Sequence, residues 1–194
     1  MLEIQESLDS KALSGEELTS KKAVLESKIL ASVQKLESFA KDIRANRVVA
    51  IPILSEQLES NLKKLGMENA KFQIELQNSP NFLENGMDAL TFLFSANKGG
   101  NFGLLKKTAS GGEISRIMLT IKYILAQYSK LPTIIFDEID TGVSGDIAGK
   151  MGEMMKQMSK SMQVISITHL PQIASQGVSH FKVYKSENEK QTTT

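Results

Sequence analysis

The chain holds 194 residues, 41% of them hydrophobic and 23% charged, an ordinary globular composition that excludes wholesale disorder and collagen-like repeats. Twenty-three Lys+Arg against 22 Asp+Glu leave a formal net charge of +1, so no global excess of positive charge draws nucleic acid or an anionic membrane, and any DNA contact is local. The chain has no cysteine and only His169 and His180 as histidines, which excludes thiol chemistry and leaves oxygen ligands and a hard ion for any metal.

Residues 1–65 carry ten Lys+Arg, ten Asp+Glu and one glycine, Gly15, with apolar residues at helical spacing. This stretch predicts a helical arm, the end of a coiled coil. Ser14 and Glu17 stand as a capping box, in which hydroxyl and carboxylate satisfy orphan amides, and place a helix start near residue 15. Leu25, Ile29, Leu36, Phe39 and Ile43 form one apolar stripe, interrupted at Ser32. A helix lying on its own domain would carry the same stripe. Pro52 lacks an amide hydrogen and predicts a kink or a helix restart. A second stripe, Ile51, Leu54, Leu58, Leu62 and Leu65, runs to a stop at Gly66. The longest apolar run, Val48 to Leu54, is far short of the roughly 20 residues that span a bilayer, and the first residues lack a basic signal-peptide end. The expectation is a cytoplasmic protein with no membrane partner.

Twelve of the 13 glycines and three of the four prolines fall at residue 66 or later, where short apolar runs alternate with helical patterns. Residues 66–194 therefore read as an α/β domain. Phe72, Ile74 and Leu76 alternate as in a half-buried strand, and Ala89 to Phe94 is a second strand candidate beyond the turn-rich NSPNFLENGMD, which predicts a hairpin or meander. Further on, the patterns predict a helix over Ile114 to Tyr128, a buried strand over Thr133 to Phe136, a helix over Ile147 to Met158 and a buried strand over Gln163 to Ile167. Strand, helix, strand at these lengths implies a parallel crossover. Phe181 to Tyr184 is a last strand candidate, followed by a polar tail expected to fray.

Chemistry-bearing residues gather at the ends of these elements. Ser110, Gly111, Gly112 and Glu113 open a helix, and Ser110 with Glu113 is spaced as a capping box. A cap alone does not account for two glycines, each costing up to about 1 kcal/mol relative to alanine in a helix. Bare amides at a helix start suit a phosphate. Next, the strand TIIF ends in Asp137 and Glu138. Nucleotide hydrolysis needs one acid for Mg²⁺, usually through water, and a second to orient or deprotonate the attacking water; the same pair could equally begin a turn. Asp140, Thr141, Gly142, Ser144 and Gly145 follow in a short loop, where Asp140 could be an Asx-turn residue. Last, His169 directly follows the strand VISIT, where a neutral imidazole could reach a phosphate or the attacking water, though a loop histidine is often inert.

Together ASGGEISR, TIIFDEIDTGVSG and VISITHLPQIAS resemble the signature motif, the Walker B segment with D-loop, and the H-loop of ABC-type ATPase heads, more narrowly the SMC-like branch that contains the RecN repair family. The resemblance covers roughly residues 60–185, includes LGMENAKFQIEL and GMDALTFLFSAN, and leaves the first sixty residues as generic helix. Ala109 and Glu113 depart from the general ABC pattern of leucine and glutamine but are at home in this branch. The resemblance implies the C-terminal lobe of an α/β ATPase head with a helical arm, acting in recombinational repair of DNA double-strand breaks in the bacterial nucleoid. It implies ATP and Mg²⁺, DNA, and a second copy of the head engaged through ATP. By the same resemblance Asp137 holds Mg²⁺ through water, Glu138 is the general base and His169 contacts the γ-phosphate. Ser110, Gly111, Gly112 and Glu113 face a nucleotide on the opposite head, and Asp140 reaches across to it. No G-x-x-x-x-G-K-[ST] is present: the one Gly-Lys pair, Gly149 and Lys150, has Ser144 where the first glycine belongs and is followed by Met151. A Walker A lobe of the same full-length protein is therefore an implied partner, and the chain looks like a C-terminal piece, inactive alone. Other SMC-like heads of the Rad50, RecF or chromosome-condensation type, or a non-catalytic dimerisation scaffold, are the alternatives. Lys98, Lys106, Lys107 and Arg116 are a candidate DNA-contacting cluster that a solvated face explains equally well.

Overall fold

In the computed structural model, residues 2–184, 186–188 and 191–193 are described, with side chains described at residues 15 and 17–184. Helix α1 runs from Leu2 to Lys64. It does not wait for the Ser14 box, because Leu, Glu, Gln, Lys and Ala between residues 2 and 13 are good helix formers with no glycine or proline among them. It also continues through Pro52 without a restart. A proline inside a helix costs about 3 kcal/mol, whereas burying a leucine returns about 1.5 to 3 kcal/mol, and Leu58, Leu62 and Leu65 just beyond it are all buried. The end is a Schellman motif around Gly66, which sits at φ +78. Met67 N–H donates to Leu62 O at 2.9 Å and Gly66 N–H to Lys63 O at 3.1 Å, so the last carbonyls are satisfied.

The chain divides into two compact units, residues 1–50 with 77–89 and residues 51–76 with 90–194. In the first unit the Asp88 carboxylate, 3% exposed, is held by Arg44 and Arg47, and Arg47 also donates to Asn85 O at 2.7 Å. Leu25, Ile29, Leu36 and Phe39 stand exposed along the predicted stripe.

Strands β1 (Lys71–Leu83), β2 (Gly86–Ser95) and β3 (Gly103–Leu104) form a meander in that order. The stretch expected to be turn-rich is mostly strand. Only Glu84 and Asn85 turn, followed by Gly86 at φ +118, because an Asn-Gly pair closes a tight hairpin by itself. Phe72 and Phe94 pack as a tilted pair, ring centroids 5.2 Å apart, with Leu58, Leu62, Met67 and Ile117.

After α2 (Leu105–Thr108) and α3 (Gly111–Ala126), β4 (Thr133–Asp137), α4 (Gly145–Met158) and β5 (Gln163–Ile167) form the expected parallel crossover, in register from Thr133 opposite Gln163 to Asp137 opposite Ile167. α4 and the short α5 (Pro171–Ala174) share a core with Leu119, Phe136, Met151, Met155 and Ile173. Neither strand is buried as expected: only Phe136 is buried among their residues, and Ile135, Ile165 and Ile167 are exposed. Phe181 to Tyr184 forms no strand, and its apolar side chains, exposed to solvent, have no burial to hold an extended conformation. The polar tail expected to fray instead pairs β6 (Ser186–Asn188) antiparallel to β7 (Gln191–Thr193).

Candidate functional site

The parallel pair β4 and β5 delivers its two carboxyl ends side by side, where α/β folds place ligands. Glu138, the first residue beyond β4, donates its N–H to Ile167 O at 3.2 Å. Its own carbonyl accepts from Thr141 N–H at 3.2 Å and from the Thr141 hydroxyl at 2.9 Å. Gripped from both sides, Glu138 takes φ +48, the one positive φ at a non-glycine among the described residues. Such a conformation costs on the order of 1–3 kcal/mol and concentrates at functional sites. The Glu138 and Asp137 side chains are exposed at this edge. A groove of about 390 Å³ runs from them along Ile135, Met118 and Lys122.

The loop after Glu138 meets the start of α3. A Cβ built on Gly112 would lie 2.9 Å from Gly142 O, and one built on Gly142, at φ +75, would lie 3.4 Å from the Gly112 Cα. Two backbones touch here. Gly112 is therefore a glycine first because Gly142 leaves no room for a side chain. A Cβ on Gly111 meets nothing within 4 Å, so of the two glycines it is the one with open space beside it. The capping-box reading also holds, since the Glu113 carboxylate accepts from Ser110 N–H at 2.7 Å and from the Ser110 hydroxyl at 2.9 Å. Glu113 is engaged as a cap.

Asp140, expected to reach across to a second head, is instead turned into its own fold. Its side chain is fully buried, accepts from the Thr168 hydroxyl, and lies 3.7 Å from His169 Nδ1. The loop turns tightly here, with Val143 N–H donating to Asp140 O at 3.1 Å. His169 is 73% exposed. Thr168 was not singled out from sequence, although a hydroxyl between an apolar strand and a loop histidine is a readable sign. Arg116 leaves the proposed basic cluster: it donates to Leu65 O at 3.0 Å and Gly112 O at 3.1 Å, while Lys98, Lys106 and Lys107 are exposed. Among the described residues no three His, Asp or Glu side chains converge as metal ligands. A Mg²⁺ at Asp137 would thus need phosphate and water oxygens for most of its shell, as that ion commonly has.

Compared with known proteins, the chain matches no family model. It is 42% identical over 153 residues to the DNA repair protein RecN of Rickettsia typhi, covering 79% of this chain and 28% of that protein. The RecN proteins of Haemophilus influenzae and Vibrio cholerae are 37% and 36% identical over 162 and 171 residues, covering 83% and 88% of this chain and 29% and 30% of theirs. Over that stretch the chain belongs to the RecN family. It spans under a third of the length of the RecN proteins it matches. Among solved structures, the Smc head domains of Pyrococcus yayanosii and Pyrococcus furiosus superpose with TM-scores of 0.60 and 0.59 at 19% and 21% identity. They cover 84% and 82% of this chain and 30% and 39% of those chains, and their likeness establishes the α/β fold of an SMC-type head. Identity near 40% to RecN proteins over about four fifths of the chain favours the RecN branch over the alternatives. No helix among the described residues is long and apolar enough to cross a membrane.

Proposed function

We propose that this chain supplies the signature, Walker B and H-loop half of an ATP site in a RecN-type repair ATPase of the bacterial cytoplasm and nucleoid, with residues 1–65 as the arm and residues 66–194 as the lobe. Glu138 takes the proton of the water that attacks the γ-phosphate, and His169, once protonated, donates to the phosphate as charge builds there. Asp137 holds Mg²⁺ through water; that ion, when bound, neutralises charge on the phosphates. Ser110 and Gly111, at the open start of α3, face the γ-phosphate of a nucleotide on a second head, so that ATP joins two heads and hydrolysis parts them. The exposed isoleucines of β4 and β5 are the surface on which the Walker A lobe packs. Lys98, Lys106 and Lys107 are the local DNA contacts.

The observation that carries this reading is Glu138: a carboxylate left exposed at the carboxyl end of a parallel strand, its backbone held at φ +48, next to the strand that leads to His169. Strain of this kind persists where a side chain must be aimed. Its test is Glu138→Gln in a whole RecN-type protein that carries this chain. Hydrolysis should fall by roughly 10² or more while ATP binding survives and heads stay engaged. Hydrolysis at the parent rate would remove Glu138 from the chemistry.

A further inference from the structure

Among the described residues, Asp140 is the one fully buried acid whose surroundings do not explain it structurally. Asp88, the other buried carboxylate, has two arginines. Among the described residues Asp140 has no lysine or arginine partner, only the imidazole of His169 nearby, and its Oδ1 is buried with no hydrogen-bond partner. Leaving a buried acceptor unpaired forfeits its hydration without return, so an isosteric apolar residue would serve folding better.

The hydrogen-bond polarity around it is fixed. Leu170 N–H donates to Thr168 Oγ1 at 3.0 Å, which leaves the hydroxyl proton for Asp140 Oδ2. The hydroxyl of Thr168 thus ties down the residues on both sides of His169, and Asp140 ties down that hydroxyl. The same oxygen, Oδ2, lies 3.7 Å from Nδ1 of the imidazole. That is too long for a direct hydrogen bond but close enough for a strong field. A lone pair on Nδ1 would face a carboxylate oxygen and be repelled, whereas an N–H there is attracted. Which ring nitrogen carries the proton is set by the group facing the other one.

We propose that Asp140 is a positioning residue for His169: through Thr168 it fixes the loop that presents the ring, and through its charge it holds the neutral imidazole as the Nδ1–H tautomer, with the Nε2 lone pair free. This rests on the proposed function for its purpose, since a neutral histidine so held can accept a proton, or once protonated donate one to phosphate, at Nε2 alone. The tautomer itself belongs to this chain and can be read without nucleotide.

The test is ¹⁵N NMR of the chain at a pH of about 8, above the ordinary imidazole pKa of about 6.5, where long-range couplings distinguish the tautomers of His169 and His180. In the parent, His169 should be mainly Nδ1–H. Asp140→Asn, which keeps the shape, and Thr168→Val, which removes the bridge, should each move His169 toward Nε2–H and leave His180 unchanged; Thr168→Ser should preserve the parent spectrum. An Nε2–H tautomer in the parent overturns the proposal whether or not any variant folds. An unchanged His169 tautomer in a folded Asp140→Asn overturns it as well. In the whole RecN-type protein, Asp140→Asn should lower kcat at least tenfold with KM for ATP nearly unchanged, and Thr168→Ser should restore what Thr168→Val loses. If the tautomer moves as expected while kcat does not, the positioning stands and the assignment of His169 to the phosphate falls.

Discussion

Gly111 and Gly112 are neighbours in sequence and helix, yet alanine at the two positions should move stability in opposite directions. At Gly111 a methyl group meets nothing within 4 Å, so the substitution gains only helix propensity, about 0.5 to 1 kcal/mol. At Gly112 the methyl carbon would stand 2.9 Å from the carbonyl oxygen of Gly142. That oxygen is backbone and cannot rotate away, and Gly142 is itself committed to φ +75. Overpacking of this kind costs about 1–3 kcal/mol, which exceeds the propensity gain and leaves Gly112→Ala destabilised by about 0.5 to 2 kcal/mol. The two variants thus differ by about 1 to 3 kcal/mol, and at roughly 2 to 4 °C per kcal/mol for a chain of this size their melting temperatures should differ by roughly 2 to 12 °C. Thermal unfolding followed by circular dichroism measures the split directly. Equal melting temperatures, or a Gly112→Ala more stable than Gly111→Ala, would show that the α3 start does not rest on the Gly142 loop.

Three further outcomes follow from the same geometry. Calorimetry of this chain with ATP and Mg²⁺ should show little heat, because the sequence holds no G-x-x-x-x-G-K-[ST] to cradle phosphate; submicromolar binding would contradict the half-site reading. Glu138→Gly should raise stability by about 0.5 to 1 kcal/mol in denaturant titration by relieving φ +48, and in the whole protein it should abolish hydrolysis; a destabilised variant would mean the backbone there is not strained. Asp88→Ala should cost about 2 to 4 kcal/mol, the range for breaking a buried ion pair lowered because Arg44 is partly exposed, and should speed hydrogen exchange over residues 77–89 more than elsewhere; uniform exchange would show the pair holds nothing local.

Periodicity and end signals made the crossover legible: the strands over Thr133 to Phe136 and Gln163 to Ile167 needed only their apolar runs, and Gly66 marked its helix end by the conformation it alone adopts easily. Local rules failed where tertiary burial decided. Pro52 marks no restart, because the leucines beyond it hold the helix against the core, and Ser14 with Glu17 lies inside a helix whose neighbours upstream already favour it. At the site, residue types pointed to Asp137, Glu138 and His169, but not to which way Asp140 faces. Its inward turn depends on the fold of residues 140–143 and on Thr168, 28 residues away, a contact no spacing encodes. Gly112 was readable as a glycine needing an explanation, while the explanation, Gly142, lies across a loop.

The central claim is that this chain completes an ATP site on a second head, and mixing two inactive whole proteins tests it most directly. One carries Gly111→Asp, which puts negative charge where the partner's γ-phosphate docks yet has open space in the fold; the other lacks the Walker A lysine. Each alone should be inactive and melt close to the parent. A mixed dimer keeps one composite site with both parts intact, so ATPase activity should reappear on mixing and rise with the proportion of mixed dimers. No recovery from stably folded partners that form mixed dimers, or parent-level activity of Gly111→Asp on its own, would contradict the account.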